Sequence, residues 1–249
     1  MKLLTKFFLF GTTLFLCSLS IAAEENANIK YPINTPPSAE LHYLVNANHR
    51  GFPLNGESDV KWKVSGSPRN QTYSISTETR ADLFGKILEA GSVGEINDYG
   101  LAPIKYEEKS RKKKVIQTTF NRTDNIISFT ESKETVPLYA GEQDRSSAVW
   151  QLVSIARGSP KKFTPKSKWS FFVAGRKNAE KWTFTVDKNV TIPTALGKVS
   201  TVHVTKSTSD PKDQRIEIWL APSKEWYPVR IKSQDPDGDT IEQDLVSIN

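Results

Sequence analysis

The sequence predicts a mainly β protein: a strongly curved antiparallel sheet or incomplete barrel with one amphipathic helix. Three observations carry this. Apolar residues recur at every second position along much of the 249-residue chain. Clusters of Gly, Pro, Asn, Asp and Ser separate these runs at short intervals. One segment alone, 146–157, has helical spacing. Period-two alternation places one apolar face against a core and a polar face towards water, the pattern of an antiparallel strand.

The first residues carry a different message. Lys2 and Lys6 precede an apolar run from Phe7 to Leu16, and Ser20-Ile21-Ala22-Ala23 follows. This charged, apolar, small-residue order is that of a secretory signal peptide, 1–22, cleaved near Ala22 or Ala23. The apolar stretch is short for a membrane span. Cys17 raises lipoprotein processing as a rival, but Leu16 stands where a small residue is wanted. Residues 23–38 are polar and end in Thr35-Pro36-Pro37, which reads as a disordered linker. A single β-rich domain is expected over 39–249.

Within that domain Leu41, Tyr43 and Val45 alternate with polar neighbours. So do Val60, Trp62 and Val64, then Tyr73, Ile75 and Thr77, then Trp182, Phe184 and Val186. Further strands are expected at 85–97, 104–108, 115–121, 126–131, 169–174, 198–207, 215–221, 227–234 and 240–248. Turn signals lie between them, at 67–70, 122–125, 209–212 and 235–238. Val149, Trp150, Leu152, Val153 and Ala156 mark the apolar stripe of the helix. Asp144 or Ser146 can cap its start, and Gly158 and Pro160 can end it. The helix is expected to pack Trp150 on the sheet and to cover an edge or opening.

Composition narrows the function classes. Cys17 is the only cysteine, so a chain cut near Ala22 has no disulfide, thiolate nucleophile or cysteine metal site. Loss of Lys2 and Lys6 lowers the formal net charge from +6 to +4. That excess is too small to argue for nucleic acid. The three histidines, His42, His49 and His203, lack zinc-ligand spacing. No nucleophile elbow, phosphate loop or dinucleotide fingerprint is present.

Several clusters, in order, carry a resemblance. They are Leu41-His42-Tyr43 with Gly56 and Trp62, then Tyr99-Gly100-Leu101-Ala102-Pro103. Gln143-Asp144-Arg145-Ser146-Ser147 with Trp150-Gln151-Leu152 follows, then Ile216-Glu217-Ile218-Trp219-Leu220 with Tyr227-Pro228-Val229-Arg230-Ile231. Together they resemble the bacterial domain of unknown function 3108 family over nearly all of the mature chain. The resemblance implies an exported, β-rich envelope protein with no assigned activity and no catalytic residues to carry over.

The candidate sites have competing readings. Asp144 and Arg145 could hold a polar head group at a helix start; the plainer reading is a helix cap. Asp235, Asp237, Asp239 and Glu242 do not fit a calcium loop, and Gly238 suits a hairpin turn. Arg111-Lys112-Lys113-Lys114 is either an anionic-lipid contact or a solvated strand tip. The six tryptophans either line an apolar ligand cavity or fill a core. The ligand-binding candidates are Trp62, Asp144, Arg145, Trp150 and Trp219. The leading expectation is a non-enzymatic periplasmic protein that binds a lipid or other apolar or amphipathic envelope ligand in its curved sheet. The alternative is an envelope protein–protein scaffold with a filled core; a hydrolase with an unrecognised site is a third reading. No cofactor, metal or nucleic-acid partner is expected.

Overall fold

The computed structural model describes residues 29–207 and 213–249. The signal segment with Cys17, its cleavage positions and the 209–212 turn lie outside the described residues.

One antiparallel meander forms the first half of the chain. It comprises β1 (Ala39–His49), β2 (Phe52–Ser67), β3 (Asn70–Ala81), β4 (Gly85–Asn97), β5 (Gly100–Ser110), β6 (Ile116–Asn121), β7 (Ile126–Phe129) and β8 (Ser132–Pro137). A two-residue strand, β9 (Gln143–Asp144), leads into helix α1 (Ser147–Gly158). A second meander follows: β10 (Lys168–Ala174), β11 (Ala179–Thr194), β12 (Gly197–Ser207), β13 (Arg215–Leu220), β14 (Pro228–Gln234) and β15 (Thr240–Ile248). The two meanders join where β1 pairs with β15, for example Tyr43 opposite Leu245. The result is a single sheet of fifteen strands running from β8 at one edge to β9 at the other. It does not close into a barrel.

Alternation decides which face is inner. Leu41, Tyr43, Trp62, Tyr73, Ile75, Leu101 and Leu245 are buried in one cluster with Trp150 of the helix. Phe171, Val173, Trp182, Phe184, Val186, Val202, Val204, Ile218 and Leu220 form a second cluster around Leu152, Val153, Ile155 and Ala156. The helix therefore faces both halves of the sheet. Nine of its twelve residues are buried, including the polar Ser147, Gln151 and Ser154. The predicted stripe is present, and the helix is buried almost all round against both clusters.

The two edges meet without strand pairing. Thr118 Oγ1 of β6 donates to the Gly175 carbonyl after β10 at 2.9 Å, and Arg176 pairs with Glu108 of β5. Phe120, Ile127, Phe129, Leu138 and Ala174 form a third, small cluster across this seam.

Residues 29–38, part of the segment expected to be a linker, are fastened to the body by hydrogen bonds. The Tyr31 hydroxyl donates to the Ser170 carbonyl and accepts from its N–H, both at 3.1 Å. Asn34 N–H donates to Ser154 O at 2.9 Å, and Trp62 Nε1–H donates to Pro36 O at 3.1 Å. Tyr227 donates to Pro37 O at 2.7 Å. Composition hid this because the fastening groups are mostly backbone atoms and one aromatic.

Candidate functional site

The junction of β9 and α1 gathers the polar residues of the interior. Asp144 is fully buried. Its Oδ1 accepts the backbone N–H groups of Ser146 and Ser147, each at 2.8 Å. These are orphan donors of the helix start, so Asp144 acts as its cap; the Ser146 side chain makes no cap bond. Oδ2 accepts from Ser92 Oγ of β4 at 2.5 Å. The Tyr73 hydroxyl lies 3.0 Å from Ser92 Oγ. With the Ser92 proton given to the carboxylate, Tyr73 is the donor of that bond. Burial pushes the Asp144 carboxyl up to about 6, against the hydrogen bonds from Ser92 and Ser147. Burial likewise carries the Tyr73 phenol well above its ordinary value.

Two glutamines clamp the helix to β5. Gln151 Nε2 donates to Tyr99 O at 2.8 Å, and its Oε1 accepts from Leu101 N–H at 2.9 Å. Gln143 Nε2 donates to Leu101 O at 2.7 Å. Gly100, with φ +103, lies under the Gln151 amide; a Cβ there would stand 2.2 Å from Oε1. Thus the Tyr99–Pro103 and Gln143–Leu152 motifs, some forty residues apart, form one interlocking contact.

An aromatic stack completes it. Trp62 and Trp150 lie with centroids 4.5 Å apart and planes 8° from parallel. Tyr73 stacks on Trp62 at 5.8 Å, and Tyr227 meets Trp150 edge-on at 6.0 Å. Both indoles are nearly inaccessible, Trp62 at 1% and Trp150 at 3%.

The five sequence candidates therefore separate. Trp62 and Trp150 present their faces to each other, and Asp144 stands at the start of the same helix. Arg145 is exposed, although its neighbour is buried. Trp219 is partly buried and packs on the margin of the cluster that holds Trp62 and Trp150, whereas Ile218 and Leu220 beside it belong to the second cluster. There it stacks on His203 at 4.5 Å, with the Arg230 guanidinium 5.9 Å from its ring. His203 Nδ1 lies 3.0 Å from Asp187 and Nε2 lies 2.9 Å from Glu217. Among the described residues no cluster of three or more His, Cys, Asp or Glu is arranged to hold a metal.

A second buried polar group lies at the seam. Tyr106 donates to Glu108 Oε2 at 2.8 Å, and Arg176 pairs with Oε1. Burial alone would raise the Glu108 carboxyl; Arg176 and Tyr106 outweigh it and hold the group below its ordinary value. Nearby, Glu142 accepts from Tyr139 N–H at 2.8 Å, and burial raises its carboxyl. Sequence reasoning passed over Ser92, Tyr73, Glu108 and Glu142 because they stand singly on separate strands. Gln143 and Gln151 were visible as motif residues without a role.

A wide, open, mainly antiparallel sheet wound around one inner helix defines a structural class rather than a chemistry. The chain belongs to the family described as "Protein of unknown function (DUF3108)", whose model matches residues 40–246. Among solved structures, a β-barrel-like protein of the domain of unknown function DUF1849 from Brucella abortus is similar in fold. Its TM-score is 0.56 at 14% identity, covering 87% of this chain and 98% of that one. A Bacteroides fragilis protein of YmcC-like fold gives a TM-score of 0.41 at 8% identity, covering 89% of this chain and 100% of that one. No curated protein matches the chain in sequence.

Proposed function

We propose that the protein is a non-enzymatic interaction scaffold of the cell envelope, exported to the periplasm by its N-terminal segment. The observation that carries this reading is the occupied inner face. Helix α1 and the Tyr73–Trp62–Trp150–Tyr227 aromatics take the space that an amphiphile would need in a carrier. The filled core thus favours the scaffold over the carrier reading. The non-enzymatic part is supported by the state of the buried acid. Asp144 has no accessible surface, and both its oxygens accept hydrogen bonds within the fold. Export is supported by the charged, apolar and small-residue order of residues 1–22.

The test is mass spectrometry of an organic extract of the protein purified gently from the periplasm. The expected extract is free of any stoichiometric lipid, and crosslinking in cells captures an envelope partner. A stoichiometric apolar molecule, absent from a control protein handled identically, would return the carrier reading to first place.

A further inference from the structure

Three neighbouring turns at one end of the sheet share an unusual surface. They join β1 to β2, β3 to β4 and β5 to β6, six consecutive strands. With strands about 4.8 Å apart, their tips stand about 10 Å from one another. Each tip exposes large apolar side chains. Phe52 is 72% exposed, Leu83 is 81% exposed, and Phe84 and Val115 are about half exposed.

Cations stand on the first and third tips, while the middle one carries Asp82 and its neighbour Lys86 is paired with Glu78 and Glu89. Arg50 is on the first turn and Arg111, Lys112, Lys113 and Lys114 are on the third, all exposed. None of the five makes a side-chain ion pair among the described residues. The Arg111 guanidinium instead lies 5.5 Å from the centroid of the Phe84 ring. The turns are laced together, since Asp82 N–H donates to Asn55 O at 3.0 Å and Arg111 N–H donates to Ile87 O at 2.8 Å. Apolar and basic groups are thus held in one fixed rim. The β14–β15 turn next to it is acidic, and its Asp239 is engaged by His49 and by Arg50 N–H. Positive charge therefore concentrates towards the β5–β6 side.

We propose that this rim docks on an anionic lipid surface, with Phe52, Leu83, Phe84 and Val115 entering the interface and Arg111–Lys114 meeting lipid phosphates. Exposed aromatic and aliphatic tips flanked by Arg50 and by Arg111–Lys114 match the two attractions of a peripheral membrane contact, apolar insertion and charge. Separate protruding tips suit a lipid surface, which yields around each one. A protein partner would need a matching hole for every tip. The inference names a surface for the envelope scaffold proposed above and rests on that reading for its setting.

The test is cosedimentation with phosphatidylglycerol–phosphatidylcholine vesicles, compared with phosphatidylcholine alone. Wild type and variants are the protein as cells produce it, processed alike. Expected is binding to the anionic vesicles that weakens as salt rises. Lys112→Gln, Lys113→Gln and Lys114→Gln should each weaken it about fivefold. Phe52→Ser with Leu83→Ser should weaken it on the order of tenfold or more. Because these side chains are exposed, the variants keep the wild-type melting temperature. Equal sedimentation with neutral vesicles, or binding unchanged in either set of variants, would overturn the proposal. A lipid in the organic extract would count against the scaffold and leave the rim untouched; absence of vesicle binding does the reverse.

Discussion

Two residues show how little freedom the polar interior has. Gly100 takes φ +103 directly beneath the Gln151 amide. Gly100→Ala therefore meets both backbone strain and a clash with the group that holds Tyr99 and Leu101. The expected loss is about 2–4 kcal/mol in urea unfolding. Adding Gln151→Ala relieves the clash but not the strain, so the double variant should lose less than the two single losses together. Asp144 makes a pH prediction. Its folded value of about 6 lies above the unfolded 3.8. Between these values the folded state keeps a proton that the unfolded chain has released, so stability falls as pH rises through the window. The Asp144 contribution is full below the lower value and lost above the higher. Asp144→Asn still caps Ser146 and Ser147 through its amide oxygen but does not titrate. The stability of wild type relative to this variant should fall by on the order of 2–3 kcal/mol from pH 4 to pH 7. Glu108 and Glu142 are common to both proteins and cancel in that difference; a flat difference would remove Asp144 as its source.

At the scale of elements, the helix is the piece most dependent on its neighbours. Trp150→Ala would open the stack with Trp62 and Tyr227 at the helix–sheet contact, costing about 3–5 kcal/mol. A cycle with Trp62→Ala should show coupling of about 0.5–1.5 kcal/mol beyond the area lost; zero coupling would mean the two rings only fill space. This helix was legible because its apolar spacing, an Asp at its start and Pro160 after its end all agree. The strands with clean alternation, such as that of Trp182, Phe184 and Val186, were equally legible. β8 was not: Ser132–Pro137 is mostly exposed and lacks an apolar face for alternation to reveal. β9 was hidden because two residues have no period; their place comes from long-range bonds to Leu101 and Ser92. α1 ends at Gly158, as the sequence predicts, with Ser159 as its C-cap. The glycine is needed because a Cβ there would stand 2.4 Å from Pro32 O. That contact comes from the 29–38 segment, whose course no local pattern announces.

At the scale of the whole molecule, the decisive pairing is the one most distant in sequence. β15 lies between β14 and β1, and its pairing with β1 joins the two meanders in the middle of the sheet. Its register sets Leu41 opposite Ile248 and Tyr43 opposite Leu245, and Tyr43 also donates to Pro228 O at 2.8 Å. The natural edges are protected in ways this seam is not. β8 carries Lys133, Glu134 and a closing Pro137, while Tyr31 and β9 occupy the free side of β10. Deleting Thr240–Asn249 would bare β1 and β14 together, two edges with no such protection, and remove Leu245 from the core shared with Trp150. The expected product is aggregated, with dye-accessible apolar surface and no protected amides in β1 or β14 by hydrogen exchange. Adding 240–249 as a separate peptide should restore solubility if the two meanders form first and the last strand closes them. Because the joining contact spans nearly the whole domain, refolding of the intact chain should be slow and limited by this step. Leu245→Ala should then slow refolding as well as lower stability, whereas Ile127→Ala at the far edge should mainly speed unfolding.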